Sequence, residues 1–519
     1  MNIKNVVLLA LSLGAGYQTS WAQSVDDAFT FSRDDNSGSA RFKALGNAQT
    51  ALGGDISSIN GNPAGLGFFS RSDASITFDY MHNSNGTSFL GSNSTSKKSH
   101  FGISQAGVVL ALPTINQIKN YRGWQSFGFG ISYNRKQNFN NTLQYSGVNN
   151  ESSYVNSLTD LMENDATFRS DFKNSNLVEL FANPENGYFP LAVERDNKDQ
   201  YNDLFTKGAH SNIAISLGAN YNNNLYIGAS IRTSFFQYDK TKVFEEYGWT
   251  KRANEVAQDN PDSPFADPNS NTYKRFGDKN YELYDEYWQN TEGKGIDFKL
   301  GLIYKPTADI NFGLTVTTPT WLTINESTEA FTDVDFYEDA TSSTPLSSYE
   351  SNLYSSQSEY YMNTPWKFSV GATKFHSRGL LTAEIEYVAY NTTTYSVKYG
   401  ADVYGEINNG IKESLKGTWN LRLGGEYLFN NILSGRAGFN YFGNAFKGSE
   451  ETNLNASLGL GIKLSNSAYL DFAVVHNYNS YSVAPYTLSN FWIDRGIYEP
   501  IANLKHNKTN ALITIGTKF

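Results

Sequence analysis

The sequence predicts an all-β fold: a transmembrane, antiparallel β-barrel of about fourteen strands with an N-terminal hatch plugging its lumen. Three observations predict it. From Asp73 onward, segments of about ten residues alternate apolar and polar, as strands do when one face meets lipid and the other water. The connections alternate short and long, the asymmetry of barrels with short periplasmic turns and long external loops. About fifty residues ahead of the first strand, Gln23 to Ser72, find no place in the wall.

Composition bounds the alternatives. The chain has 519 residues, with 41 Lys and Arg against 51 Asp and Glu, for a net charge of −10. A protein that tracks phosphates needs a basic surface, which argues against nucleic acid as a partner. Charged residues are 18%, under the roughly 25% of soluble domains, while Phe and Tyr number 34 each. No run of about 18 apolar residues occurs, which excludes a bundle of membrane helices but not a barrel, whose lumen-facing positions keep its strands polar on average. Without Cys there is neither a disulfide framework nor a thiolate metal site, and no cofactor or metal is expected.

Taken in order, residues 1–22 read as a cleaved signal peptide: Lys4, an apolar stretch from Val6 to about Gly16, then Ser20-Trp21-Ala22 before Gln23. Residues 23–72 form an arm and hatch. Ala40 to Asp55 is rich in small residues and predicts a short helix, and Ile56 to Gly67 is dense in turns. Asn62, preceding Pro63, is biased away from helical backbone. Small residues pack closely in a confined space, so this segment reads as a plug. Residues 73–519 form the barrel, with strands near 73–82, 100–112, 124–135, 210–222, 224–238, 295–305, 308–318, 366–376, 379–391, 417–429, 432–443, 453–464, 467–479 and 508–519. The clearest places Trp419, Leu421, Leu423, Tyr427 and Phe429 on one face, with Asn420, Arg422 and Glu426 on the other. Short turns fall at 222–224, 305–307, 376–378, 430–431 and 465–466. Long connections fall at 136–209, 239–294, 319–365, 392–416 and 480–507, so both mature termini are expected in the periplasm. The last strand ends on Phe519, and terminal aromatics of this kind resemble the signal read by the outer-membrane barrel-assembly machinery.

About fourteen strands enclose a hole that must be filled. The polar faces put Arg232, Lys299, Lys367, Arg422 and Arg436 inside with Asp297, Glu384, Glu386 and Glu426. Mixed signs predict pairing across the wall and anchoring of whatever occupies the lumen, rather than an ion-selective ring.

The run Arg41, Ala44-Leu45-Gly46, Ala48, Ala51, Asp55 and Asn62-Pro63-Ala64-Gly65-Leu66 resembles the N-terminal hatch of the FadL/TodX family of outer-membrane transporters for long-chain fatty acids and other hydrophobic compounds. Thr318-Pro319-Thr320 and Thr364-Pro365-Trp366 are similar to the family as well. The sequence looks like its Bacteroidetes branch, whose members are sometimes labelled haemin receptors. The resemblance implies that Asn62, Pro63, Ala64 and Gly65 close the hatch inside a fourteen-stranded barrel. It further implies that a hydrophobic ligand binds an outer pocket, moves to a second site beside the hatch and leaves sideways into outer-membrane lipid through a gap in the wall. Phe127-Gly128-Phe129-Gly130 is the candidate for that gap, since glycine weakens a strand and permits a bulge; the plainer reading is that these glycines ease packing against the plug. The arm from Gln23 to Ser39 and the long loops depart from the better-known members, so their outer ligand site is not carried over.

No catalytic site is expected. His82-Asn83-Ser84 has a spacing seen in outer-membrane phospholipases but no accompanying acylation motif. The acidic stretch containing Asp259 and Asp262 reads as a solvated loop rather than a Ca²⁺ site. The expected function is uptake of hydrophobic molecules by a monomer. The alternatives are a docking subunit similar to the PorV component of type IX secretion, and a general porin.

Overall fold

A computed structural model describes residues 9–10, 25–35, 37–119, 121–398, 403–449 and 451–519. The signal peptide expected at 1–22 lies outside the described residues apart from Leu9–Ala10. From Asp73 the chain builds a closed wall of fourteen antiparallel strands. In order these are β1 (Asp73–Phe89), β2 (Ser92–Pro113), β3 (Trp124–Asn138, continued by Asn141–Asn149), β4 (Lys198–Tyr221), β5 (Leu225–Trp249) and β6 (Asn280–Thr307). Next come β7 (Ile310–Thr317 and Trp321–Tyr337), β8 (Tyr354–Asn363 and Lys367–His376) and β9 (Gly379–Ala389 and Thr394–Val397). The last five are β10 (Gly417–Leu428), β11 (Leu433–Phe442), β12 (Thr452–Lys463), β13 (Ala468–Ala484) and β14 (Ala502–Lys518). Each strand pairs with the next, and β1 pairs with β14 from Asp73↔Lys518 to Phe89↔Ala502, closing the circle.

Register follows the period-two pattern. On β10, Trp419, Leu421, Leu423 and Tyr427 are exposed, while Asn420 and Arg422 are buried. On β4 the neighbours Leu217 and Ser216 are 60% and 1% exposed. The exposed set is an apolar belt around the outside of the wall, and the buried set lines the bore. Among the described residues no helix is long and apolar enough to cross a membrane.

Much of what reads as long connections is strand. β3 continues to Asn149, β4 begins at Lys198, β5 runs to Trp249, β6 begins at Asn280, and β7 and β8 fill most of 321–363. Residues 83–99 form the end of a hairpin that turns at Leu90 and Gly91, with φ of +47° and +82°. These extensions rise beyond the apolar belt, so neither face is selected for lipid and the alternation fades, as in Asn325 to Glu329 of β7. The two Thr-Pro sites mark where β7 and β8 break at one level: Thr320 N–H donates to Thr364 Oγ1 at 2.8 Å, and Thr364 N–H donates back to the Thr320 carbonyl at 3.1 Å. Proline has no N–H for the ladder, and this exchange bridges the interruption.

Connections at the outer end fold into a crown over the rim. Its core includes Tyr154, Leu158, Phe168, Phe172, Phe189 and Trp492 packed on Phe244, Tyr281, Val334 and Phe336 of the strand extensions. At its base the buried Glu246 carboxylate accepts from Ser153 Oγ, Tyr154 N–H (2.8 Å), Gln200 Nε2 (2.6 Å) and the Tyr281 hydroxyl (2.6 Å). A fully buried carboxylate needs such donors.

Candidate functional site

The N-terminal segment occupies the bore. Helix α1 (Val25–Ser32) places Phe31 among Phe139, Phe236 and Tyr238, stacked on Phe236 at 4.7 Å, and Phe29 against Tyr390 and Phe446. Helix α2 (Ala40–Ala44) is shorter than the sequence suggests, because Gly46 and Asn47 turn to positive φ directly after it. Ser39 caps it, accepting from Phe42 N–H at 3.1 Å and donating to Asp55. Asp55 in turn caps the 3₁₀ turn Ile56–Ile59.

Asn62 caps the next turn, Pro63–Phe68. Its Oδ1 accepts from Ala64 N–H at 3.1 Å and its Nδ2 donates to the Thr50 carbonyl at 2.6 Å, tying the two halves of the segment together. Its extended backbone, ψ 106°, is what a following proline imposes. Asn62, Pro63, Ala64 and Gly65 are all buried.

The bed for this turn is glycine. Gly128, Gly218, Gly228 and Gly301 are successive ladder neighbours on β3, β4, β5 and β6, all facing the bore. A Cβ on any of them would collide with Asn62, Pro63, Ala64 or Leu66. On the opposite wall, Gly424 and Gly438 give the same close approach to Leu45 and Gly46. Sequence reasoning did not single out this bed, though its signal is there: the four glycines all fall on the polar side of the strand alternation.

The nine lumen charges gather into separate clasps. Arg422 pairs with Glu384 and Glu386, and Glu384 also accepts from the N–H groups of Gln49 and Thr50 at 2.9 and 2.8 Å. Arg436 pairs with Glu426 at 2.6 Å and with Asp471, while Arg41 of the N-terminal segment meets Glu426 at 2.9 Å. Arg232 pairs with Asp297, which Thr320 Oγ1 also contacts at 2.8 Å. Lys299 donates to the Asn60 carbonyl at 3.0 Å, and Lys367 lines a small polar cavity beside Glu386. In the arm, burial would raise Asp35, but Lys508 at 2.7 Å and nearby Arg33 override it and carry its pKa down to about 2. Burial lowers Lys43 to about 8 and raises Asp26 to about 7, the latter with help from Asp27.

Phe127 to Gly130 hold no gap: they are paired on both sides, and Gly128 and Gly130 admit Leu66 and Ile59 of the plug, as in the plainer reading. The interruption lies higher. The β2–β3 ladder runs from Pro113↔Ser126 to Gln105↔Asn134 and stops. Above it Asn141–Asn149 pairs with β4, Ser92–Ile103 pairs with β1, and side chains bridge the seam: Ser94 Oγ and Ser96 Oγ donate to the carbonyls of Gln144 and Thr142, each at 2.8 Å. At its foot, Arg135 of β3 reaches past Gly102 of β2 to pair with buried Asp79 of β1, where Ser104 bulges out of the ladder. His82 hydrogen-bonds Ser99 at 2.9 Å, and Phe519 lies exposed with its N–H on the Ser72 carbonyl.

No protein-family model matches the sequence, and no curated protein matches it. Among solved structures, a Pseudomonas aeruginosa FadL homologue aligns with a TM-score of 0.54 and 12% identity over 94% of this chain and 100% of its own. The P. putida toluene transporter TodX aligns with a TM-score of 0.52 and 12% identity, over 93% and 99%. The chain has the FadL/TodX barrel fold. The wall of that fold here carries the long extensions and the crown described above.

Proposed function

We propose that this chain is an outer-membrane carrier for fatty acids or other small hydrophobic molecules, which pass the plugged bore by leaving sideways at the β2–β3 seam. The observation that carries this reading is the pairing of a filled bore with an unladdered stretch of wall beside it. The glycine-bedded plug stands in the way of a hydrophilic solute, whereas an alkyl chain leaving through the wall avoids about 0.8 kcal/mol per CH₂ of exposure to water. TodX, of the same fold, is a toluene transporter. Asn62 to Gly65 act as the gate of the hatch, and the lumen clasps hold it shut between passages.

Cells displaying the protein should accumulate a fluorescent long-chain fatty acid faster than cells without it, and the purified barrel in planar bilayers should show no steady conductance of porin size. Porin-like conductance would replace the carrier with a pore. Indifference to hydrophobic solutes together with co-purification of a secretion machine would replace it with a docking subunit.

A further inference from the structure

Just inside the seam, between α1 and the wall, lies a cavity of about 270 Å³. Its size is near the lower end of small-molecule sites, roughly 300 to 1,000 Å³. Its lining is unlike that of a hydrocarbon pocket, because amide side chains from β1, β3, β12, β13 and their connections stand there beside Asp26, Arg33, Asp35, Glu451, His506 and Lys508. Four of them keep a buried atom without a partner among the described residues: Asn83 Oδ1, Gln137 Oε1, Asn138 Nδ2 and Asn479 Oδ1. Asn83 and Gln137 are 3% and 7% exposed. The other ends of two of these amides are already used. Asn83 Nδ2 donates to the Asn140 carbonyl at 2.7 Å, and Asn138 Oδ1 accepts twice from Asn140 at 2.9 and 2.8 Å. Buried amide atoms are ordinarily satisfied, so four unpaired ones on residues that line one cavity mark a place where a rotation of these amides would meet hydrogen-bonding partners from outside the protein. Phe29 and Tyr481 supply aromatic lining, and of the charged groups there Lys508 and Arg33 both pair with Asp35, while Asp26 and Glu451 add two carboxyls.

We propose that this chamber binds the head of a nonionic amphiphile, one carrying several hydroxyl or amide groups, while its alkyl tail lies toward the seam. Amides supply both donors and acceptors without net charge, and aromatic faces suit the C–H face of a sugar ring. The proposal deepens the uptake reading by specifying the passenger's polar end. It is tested by binding without transport, so either can fail alone.

The full chain in lipid nanodiscs is titrated calorimetrically with hexyl β-glucoside, 1-hexanol and hexanoate, with empty nanodiscs as the blank. The glucoside should bind about tenfold or more tightly than the other two, as expected when a site's polar groups gain partners. N83L/Q137L and N479L should each abolish that preference, with barrel assembly verified by heat-modifiable mobility on gels. If the variants fail to assemble, the ranking of the three probes on the unaltered chain decides. Equal binding of hexanol or hexanoate, an unchanged preference in the variants, or a glucoside titration that never saturates, as for a chamber holding water alone, would overturn the proposal.

Discussion

Asn62 uses both ends of its amide on the plug, one as a cap and one as a cross-tie to Thr50. Replacing it with Ala removes a cap worth about 1 kcal/mol and leaves the buried Thr50 carbonyl without its donor, at about 1–3 kcal/mol. N62A should therefore loosen the hatch and raise the permeability of cells to a small hydrophilic antibiotic, measured as a lowered inhibitory concentration; unaltered sensitivity would remove Asn62 from the gate. Arg422 is a different case, being fully buried between two carboxylates. Arg422→Met leaves both without their cation, a loss of about 3–5 kcal/mol. Its barrel should unfold at a clearly lower temperature in heat-modifiability gels, and an unmoved midpoint would show that the clasp does not stabilise the wall.

The arm is the element whose behaviour should depend on pH. Asp26 of α1 has its pKa raised to about 7 when docked, against an ordinary value near 4. A carboxyl raised by docking binds protons that the free arm does not. Through Asp26, docking is therefore stronger in acid and weakens as pH rises from about 4 to about 7. Asp35, held at about 2, contributes docking stability that is lost only as pH falls from about 4 toward 2. The chain has no Cys, so a single T30C can be labelled cleanly. Maleimide labelling of T30C, corrected for the thiol's own ionisation with a free peptide, should accelerate between pH 5 and pH 8, and D26N should flatten the change; a corrected rate that is constant with pH would exclude Asp26 as the cause.

Much of this architecture was legible in the sequence because lipid imposes a strict period of two. Trp419 to Phe429 carries its inside and outside in its spelling, and the fourteen strands follow from segments of that kind. Where lipid stops acting, as in Asn325 to Glu329, the pattern fades and strand reads as loop. The placement of the gap at Phe127 to Gly130 failed for a related reason: a strand's sequence records which face a glycine occupies, but whether a ladder continues depends on the register of two strands, and no local spelling states that Gln105↔Asn134 is its last rung. The glycine bed was legible only in part: each member sits on the polar side of its strand, but the four lie far apart in sequence and become one surface only when β3 to β6 align.

The barrel joins a stoppered bore to a weak line in the wall. The Arg135–Asp79 pair fastens the foot of that line. Asp79→Asn leaves the guanidinium without its counter-charge and should let the seam part more readily, raising the initial rate of fatty-acid uptake several-fold; a rate at or below that of the unaltered chain would mean that the pair is merely structural. The most direct measurement joins the two sides of the seam itself. With cysteines introduced at Ser96 and Thr142, whose strands are bridged there by a 2.8 Å side-chain hydrogen bond, a short bismaleimide should abolish uptake of the fluorescent fatty acid, while either single variant treated alike transports normally. Full uptake through the tethered wall would contradict sideways release at this seam.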